Sequence, residues 1–241
     1  MSVLKSICIV KTGSTFSSTR ADHEDFEDWI INRLDMTLSS PFTVNVQAGD
    51  ALPDPSQCDG IILTGSHSMV TDEHLWSQKT AQWLKDAVHQ EIPLLAICYG
   101  HQLLAKSLGG VADYHTKGME IGTVEIHLTD YIQDDLLFCE LPDHIFAHTI
   151  HSQTVLELPS NAVRLAYNSH DHNHAFRIGK CAWGVQFHPE FSKEIMDSYI
   201  NEIAKTEKFD ADKKLSLLQR SQETRESNAL LKKFESIVCL Y

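Results

Sequence analysis

The run IPLLAICYGHQLL, residues 92–104, places one cysteine, Cys98, at the end of an apolar stretch, with Gly100 two residues on. A thiol at a strand-to-helix turn is pushed out at the edge of a sheet, and a glycine beside it allows the tight backbone. Unpaired N–H groups of the first helical turn favour an anion there. Both effects promote the thiolate, which is the nucleophilic form of cysteine. A second run, WGVQFHPE at residues 183–190, ends an apolar stretch at His188 and puts Glu190 two residues later. The imidazole can move the thiol's proton, and the carboxylate can hold the ring in one tautomer and stabilise its cation. His-Pro-Glu by itself is more often a plain turn, and an isolated cysteine is more often a small buried hydrophobe. Together the two runs supply a nucleophile, a base and an orienting group. The other cysteines, at 8, 58, 139, 181 and 239, are read as structural.

The elements needed to position these groups are legible along the chain. Ser6–Val10, Phe42–Val46, Asp59–Thr64 and Leu94–Ile97 are short, apolar and strand-like. Between them, Asp25–Leu38 and Leu75–Gln90 carry helical spacing, the first with Phe26, Trp29, Ile30 and Leu34 on one face. Strands that alternate with helices and are apolar throughout predict a mostly parallel sheet covered on both faces. Ligand sites in such sheets lie at the carboxyl ends of strands, where both Gly65-Ser66 and Cys98 fall. Gln102 to Leu108 is expected as a short helix closed by Gly109-Gly110. Beyond Gly110, Gly122–Leu128, Arg164–Tyr167, His174–Ile178 and Ala182–Phe187 predict strands that are partly antiparallel, and Ser192–Lys205 a helix. Residues 206–241 predict a helical C-terminal extension packed on the domain formed by residues 1–205.

Composition removes several classes of function. The chain has 241 residues and a formal net charge of −13, against the clustered cations that nucleic acid or an anionic membrane surface requires. No apolar run approaches the ~20 residues of a membrane helix. The N-terminal MSVLKSICIVKTG is too short in apolar residues for a secretion signal, and the widely spaced cysteines include no Cys-x-x-Cys. A cytoplasmic protein with reduced thiols is expected.

In order and spacing, LTGS, ICYGHQ, the EIG of Glu120–Gly122 and GVQFHPE resemble a class I glutamine amidotransferase domain over about residues 5–200. The likeness is to stand-alone members resembling the amidotransferase domain of GMP synthetase. It implies a flavodoxin-like three-layer sandwich and a glutaminase working through a γ-glutamyl thioester. It also implies that Cys98 is the nucleophile, His188 the general base and acid, and Glu190 the orienting carboxylate. Backbone N–H groups of Ser66 and Tyr99 would form the oxyanion hole. Gly65, Gln102, His151 and Gln153 would contact the substrate, and Glu120 with Gly122 would close the site. Neither a cofactor nor a metal is implied.

Two positions depart from the family pattern. Ala96 stands where glycine is usual, two residues before the nucleophile. The turn reads Gly65-Ser66-His67 where Gly-Gly is usual and proline is common next. If that turn must flip to aim its N–H, the serine makes the flip harder, so slow turnover is expected without a partner. The alternation of His170, His172 and His174 could put three imidazoles on one strand face, but a polar loop without zinc is the expected reading. No Walker A spacing occurs, so the ammonia is expected to pass to a separate synthetase. A γ-glutamyl peptidase using the same three residues remains the alternative, with a non-catalytic regulatory subunit behind it. A homodimer through the leucine-bearing tail is left open.

Overall fold

Strands whose two faces are both apolar must be covered on both sides, and this chain covers them with helices. The computed structural model describes residues 4–207 and 209–241. The first half runs β1 (Lys5–Lys11), α1 (Ser17–His23), α2 (Phe26–Ile31), β2 (Ser39–Asn45), β3 (Gly60–Leu63), α3 (Leu75–His89), β4 (Leu94–Ile97) and α4 (Tyr99–Ser107). The second half runs β5 (Val111–Tyr114), β6 (Glu120–Leu128), β7 (His144–His151), β8 (Gln153–Glu157), β9 (Ala162–Tyr167), β10 (Ala175–Ile178) and β11 (Ala182–Val185). Three helices follow: α5 (Lys193–Thr206), α6 (Ala211–Arg220) and α7 (Arg225–Val238).

A 9-stranded sheet takes the order β2-β1-β3-β4-β11-β10-β9-β6-β7. Pairing is parallel from β2 through β11 and antiparallel from there to β7. A separate two-stranded antiparallel sheet joins β5 to β8. The parallel part has the flavodoxin-like arrangement, as expected, and the antiparallel part extends one edge. β2 lies at the other edge, which is where its Pro41, unable to donate to a ladder, is tolerated.

Alternate residues of the central strands feed two cores. Ile7, Ile9, Ile62, Leu95 and Ile97 pack with Ile30, Leu34 and the α7 residues Leu230, Leu231, Phe234, Ile237 and Val238. Cys8, Val10, Ile61, Leu63, Leu94 and Ala96 pack with α3 and α4 on the opposite face. Thus α7 is one of the covering layers. Gly60 shows how closely: a Cβ there would lie 2.5 Å from Val238 Cγ2. A third cluster joins Phe26 and Trp29 to Phe191 and the buried face of α5.

The helix expected over Asp25–Leu38 is shorter. It is capped by Asp25, whose side chain accepts from Phe26 N, and it stops after Ile31. Leu34 still reaches the core through the turn that follows, which is why the apolar period outlasts the helix. The helix after Cys98 begins at Tyr99, not at Gln102. All six cysteines are free. Among the described residues no helix is long and apolar enough to cross a membrane.

Candidate functional site

Cys98 belongs to two elements at once. Its N–H donates to Val185 O at 2.8 Å, extending the β4–β11 ladder, and its carbonyl accepts from Gln102 N at 3.1 Å, opening α4. Doing both forces φ to 51° and ψ to −101°, a left-handed conformation for a residue with a Cβ. Such strain costs on the order of 1–3 kcal/mol and persists only where the surroundings enforce it. Gly100 is part of that enforcement, because a Cβ there would sit 2.8 Å from Leu63 Cβ. Cys98 is 7% exposed and lines a cavity of about 280 Å³.

His188 lines the same cavity. Its N–H donates to His148 O at 2.8 Å, and its Nδ1 lies 2.7 Å from Glu190 Oε1. Nε2 has no hydrogen-bond partner among the described residues, so it is the nitrogen left for chemistry. The thiol and the ring converge on Gly65, where a Cβ would lie 3.0 Å from His188 Cε1 and 3.7 Å from Cys98 Cβ. Burial disfavours the imidazolium, but the Glu190 carboxylate and the neighbouring Cys98 outweigh it and push His188 up to about 10. The Phe191 ring stacks on the imidazole with centroids 4.1 Å apart. The turn carrying these groups is itself tied down. Arg33 Nε and Nη2 donate to Glu190 O and Phe191 O at 3.0 and 2.7 Å. Asn228 Nδ2 donates to Pro189 O and Phe191 O at 2.7 and 2.9 Å.

Ser66 and Tyr99 border the cavity beside Cys98. Tyr99 is the first residue of α4, so its N–H is one of the amides a helix leaves unpaired. The turn holding Ser66 is fixed by Thr12 Oγ1, which donates to Gly65 O at 3.0 Å. Gly13 lets the loop after β1 approach it, since a Cβ there would meet Ser66 Oγ at 2.6 Å. The Gln102 amide nitrogen donates to Gln153 O at 2.7 Å and to Gln186 Oε1 at 3.0 Å. Those bonds take both amide protons and leave its carbonyl oxygen for a ligand. Gln153 lines the cavity, but its side chain is engaged with the next turn, donating to Thr71 Oγ1 and accepting from Val70 N.

His151 also borders the cavity, with its ring buried in a network behind it. Its Nδ1 faces Gln153 O at 2.9 Å and its Nε2 faces Glu120 Oε2 at 3.0 Å, an arrangement satisfied when both nitrogens donate. His174 Nε2 lies 2.9 Å from the same oxygen, and Asn168 donates to Glu120 Oε1 at 2.7 Å. Burial raises the Glu120 carboxyl, but the two histidines more than reverse this and hold it well below the usual range. Glu120, His151 and His174 have ligand-type atoms within 4.8 Å of one another, joined by hydrogen bonds. Of the alternating histidines only His174 enters this cluster; His172 is exposed and His170 stacks on His115. Sequence reasoning did not place Phe16, Phe26, Met69, Met119, Tyr199 and Ile203 in the cavity wall. Nor did it find Arg33 or Asn228, which carry no motif.

The family model for class-I glutamine amidotransferases matches residues 23–204. The chain belongs to this family. Within the class-I glutamine amidotransferases its relatives diverge in name. Gamma-glutamyl peptidase 5 of Arabidopsis thaliana is 27% identical over 71% of this chain and 70% of its own length. The GMP synthase of Borreliella burgdorferi is 30% identical over 61% of this chain but only 28% of its own length. Among solved structures, a glutamine amidotransferase from Thermotoga maritima superposes with a TM-score of 0.73 at 24% identity, covering 98% of this chain and 96% of that one.

Proposed function

We propose that the protein is a cysteine amidohydrolase that cleaves γ-glutamyl amides, with glutamine as the simplest substrate, through a thioester on Cys98. The supporting observation is one cavity holding the strained Cys98 and the Nε2 of a His188 whose other nitrogen is fixed by Glu190. His188, held as the imidazolium, carries the proton that the Cys98 sulfur has given up, and the thiolate attacks the side-chain carbonyl carbon. The N–H groups of Ser66 and Tyr99 hold the oxyanion of the tetrahedral intermediate. When the C–N bond breaks, His188 returns the proton to the departing nitrogen, releasing ammonia and leaving the γ-glutamyl thioester. Water, deprotonated by His188, then attacks the thioester; glutamate leaves and the thiol is restored. With glutamine as substrate, the nitrogen would pass to a separate synthetase.

A second reading takes γ-glutamyl peptides as the substrate, and the cavity wall favours it. The leaving nitrogen must lie on the His188 side, because that ring protonates it. Phe26 stacks on His188 there, and Phe16, Tyr199, Met119 and Ile203 line the same cavity, along with the polar His67, Ser68 and Glu207. Ammonia alone would leave that space unfilled, whereas a peptide amine would occupy it. The names of the Arabidopsis relatives agree with this reading. The test is labelling with diazo-oxo-norleucine followed by a substrate panel. Mass added at Cys98, and turnover abolished by Cys98→Ala, are expected; labelling confined to other residues would overturn both readings. Faster turnover of γ-glutamyl peptides than of glutamine would select the second.

A further inference from the structure

We propose that Asn228 and Arg33 are positioning residues that hold the His188–Glu190 turn in working geometry, so that α7 takes part in assembling the site. The inference rests on the reading of Cys98, His188 and Glu190 as the reacting groups. β11 ends at Val185, so the carbonyls of Pro189, Glu190 and Phe191 lie beyond the sheet ladder. Pro189 contributes no N–H, and the turn's own bond, Phe191 N to His188 O, is long at 3.3 Å. His188 is held at its own N–H by His148 O, but the carbonyls that follow it have no partner in the ladder.

Each of the three carbonyls instead accepts from a side chain far away in sequence. Asn228 Nδ2 bridges Pro189 O and Phe191 O, from 39 and 37 residues along the chain. The guanidinium fork of Arg33 bridges Glu190 O and Phe191 O, from 157 and 158 residues away. Phe191 O is held from both sides, and the Phe191 ring lies against His188. A planar amide and a planar fork fix orientation as well as distance. Asn228 lies outside residues 23–204, the part that matches the family model. The contact is anchored through the α7 core residues Leu231 and Phe234.

The experiment measures kcat and KM on the best γ-glutamyl amide, alongside thermal midpoints, for wild type, Asn228→Ala, Arg33→Lys and Val238→Ala. Misplacing reacting groups by about 1 Å costs about 100-fold in rate. Asn228→Ala should therefore lower kcat about 10- to 100-fold with KM nearly constant. Arg33→Lys keeps the charge without the fork and should show a smaller loss of the same kind. Val238→Ala, which weakens α7 packing away from the turn, should lower the midpoint and leave kcat unchanged. Asn228→Gln, which restores the donor on a longer arm, should recover part of the rate. If Asn228→Ala does not fold, Arg33→Lys with Val238→Ala decides. Unchanged kcat in the folded Asn228 or Arg33 variants, or equal kcat losses in Val238→Ala, would overturn the proposal while leaving the proposed function standing. A wild-type protein without Cys98-dependent turnover would remove the ground for both.

Discussion

His188 and His101 are almost equally buried, at 1% and 0% exposure, yet one is held as a cation and the other neutral. Burial disfavours the cation in both. At His101, packed against Phe176 with neither nitrogen hydrogen-bonded among the described residues, burial dominates and pushes the ring down to about 3. His148, whose Nδ1 faces the Thr123 hydroxyl at 3.1 Å, falls to about 4, again mainly through burial. At His188 a carboxylate at 2.7 Å reverses the outcome. Proton traffic at neutral pH therefore falls to His188, where a carboxylate overcomes burial, while burial keeps His101 and His148 neutral.

The largest way to break that contrast is Glu190→Gln. It keeps the shape and removes the charge, so His188 should fall from about 10 toward the behaviour of His148. By analogy with removal of the orienting carboxylate in serine proteases, the rate should drop on the order of 10³- to 10⁴-fold. Histidine NMR titration beside kcat would check both halves; an unmoved His188 titration would sink the electrostatic account.

A middle-sized effect is acid lability. Unfolded histidines protonate near ~6.5. The unfolded chain thus binds more protons than the folded one between that pH and the folded values of about 3 and 4 at His101 and His148. Stability should fall as pH falls through this window, by a few kcal/mol in all. His188 acts in the opposite sense: its contribution is complete below ~6.5 and is lost as pH rises through about 10. Urea denaturation at pH 4.5, 7 and 10 should therefore show a maximum near neutrality. The smallest effect is expected from His148→Gln, which should shrink the acid limb and leave turnover within about 2-fold, given that only surroundings shared with His188 change. A large rate loss would show that His148 does more than pack.

The reacting groups were legible because each ends an uninterrupted apolar strand, at Ile97 and just beyond Val185, and the chemistry of the next residue follows from its place. The parallel sheet followed from the same runs. The end of α2 was not legible: apolar spacing reports which face is buried, and Leu34 stays buried after the helical hydrogen bonds have ceased. β7 and β8 were missed because histidines and polar residues interrupt their alternation, as in HIFAHTIH. The Glu120–His151–His174 cluster joins residues 31 and 54 positions apart, so no local pattern announces it. His174 reads as loop-like because it follows polar residues, and its buried contact with Glu120 spans 54 positions. Arg33 and Asn228 hold backbone atoms, and a backbone carbonyl leaves no imprint on the residue types around it.

The contact of Val238 with Gly60 bears on how the molecule is made. On one face of β1, β3 and β4 the cover that Ile30 and Leu34 begin is not complete until residues 225–238 arrive. During synthesis on a ribosome those strands emerge early, so the nascent chain must hold an exposed greasy surface through most of translation. Apolar surface exposed in such an interval is prone to aggregation.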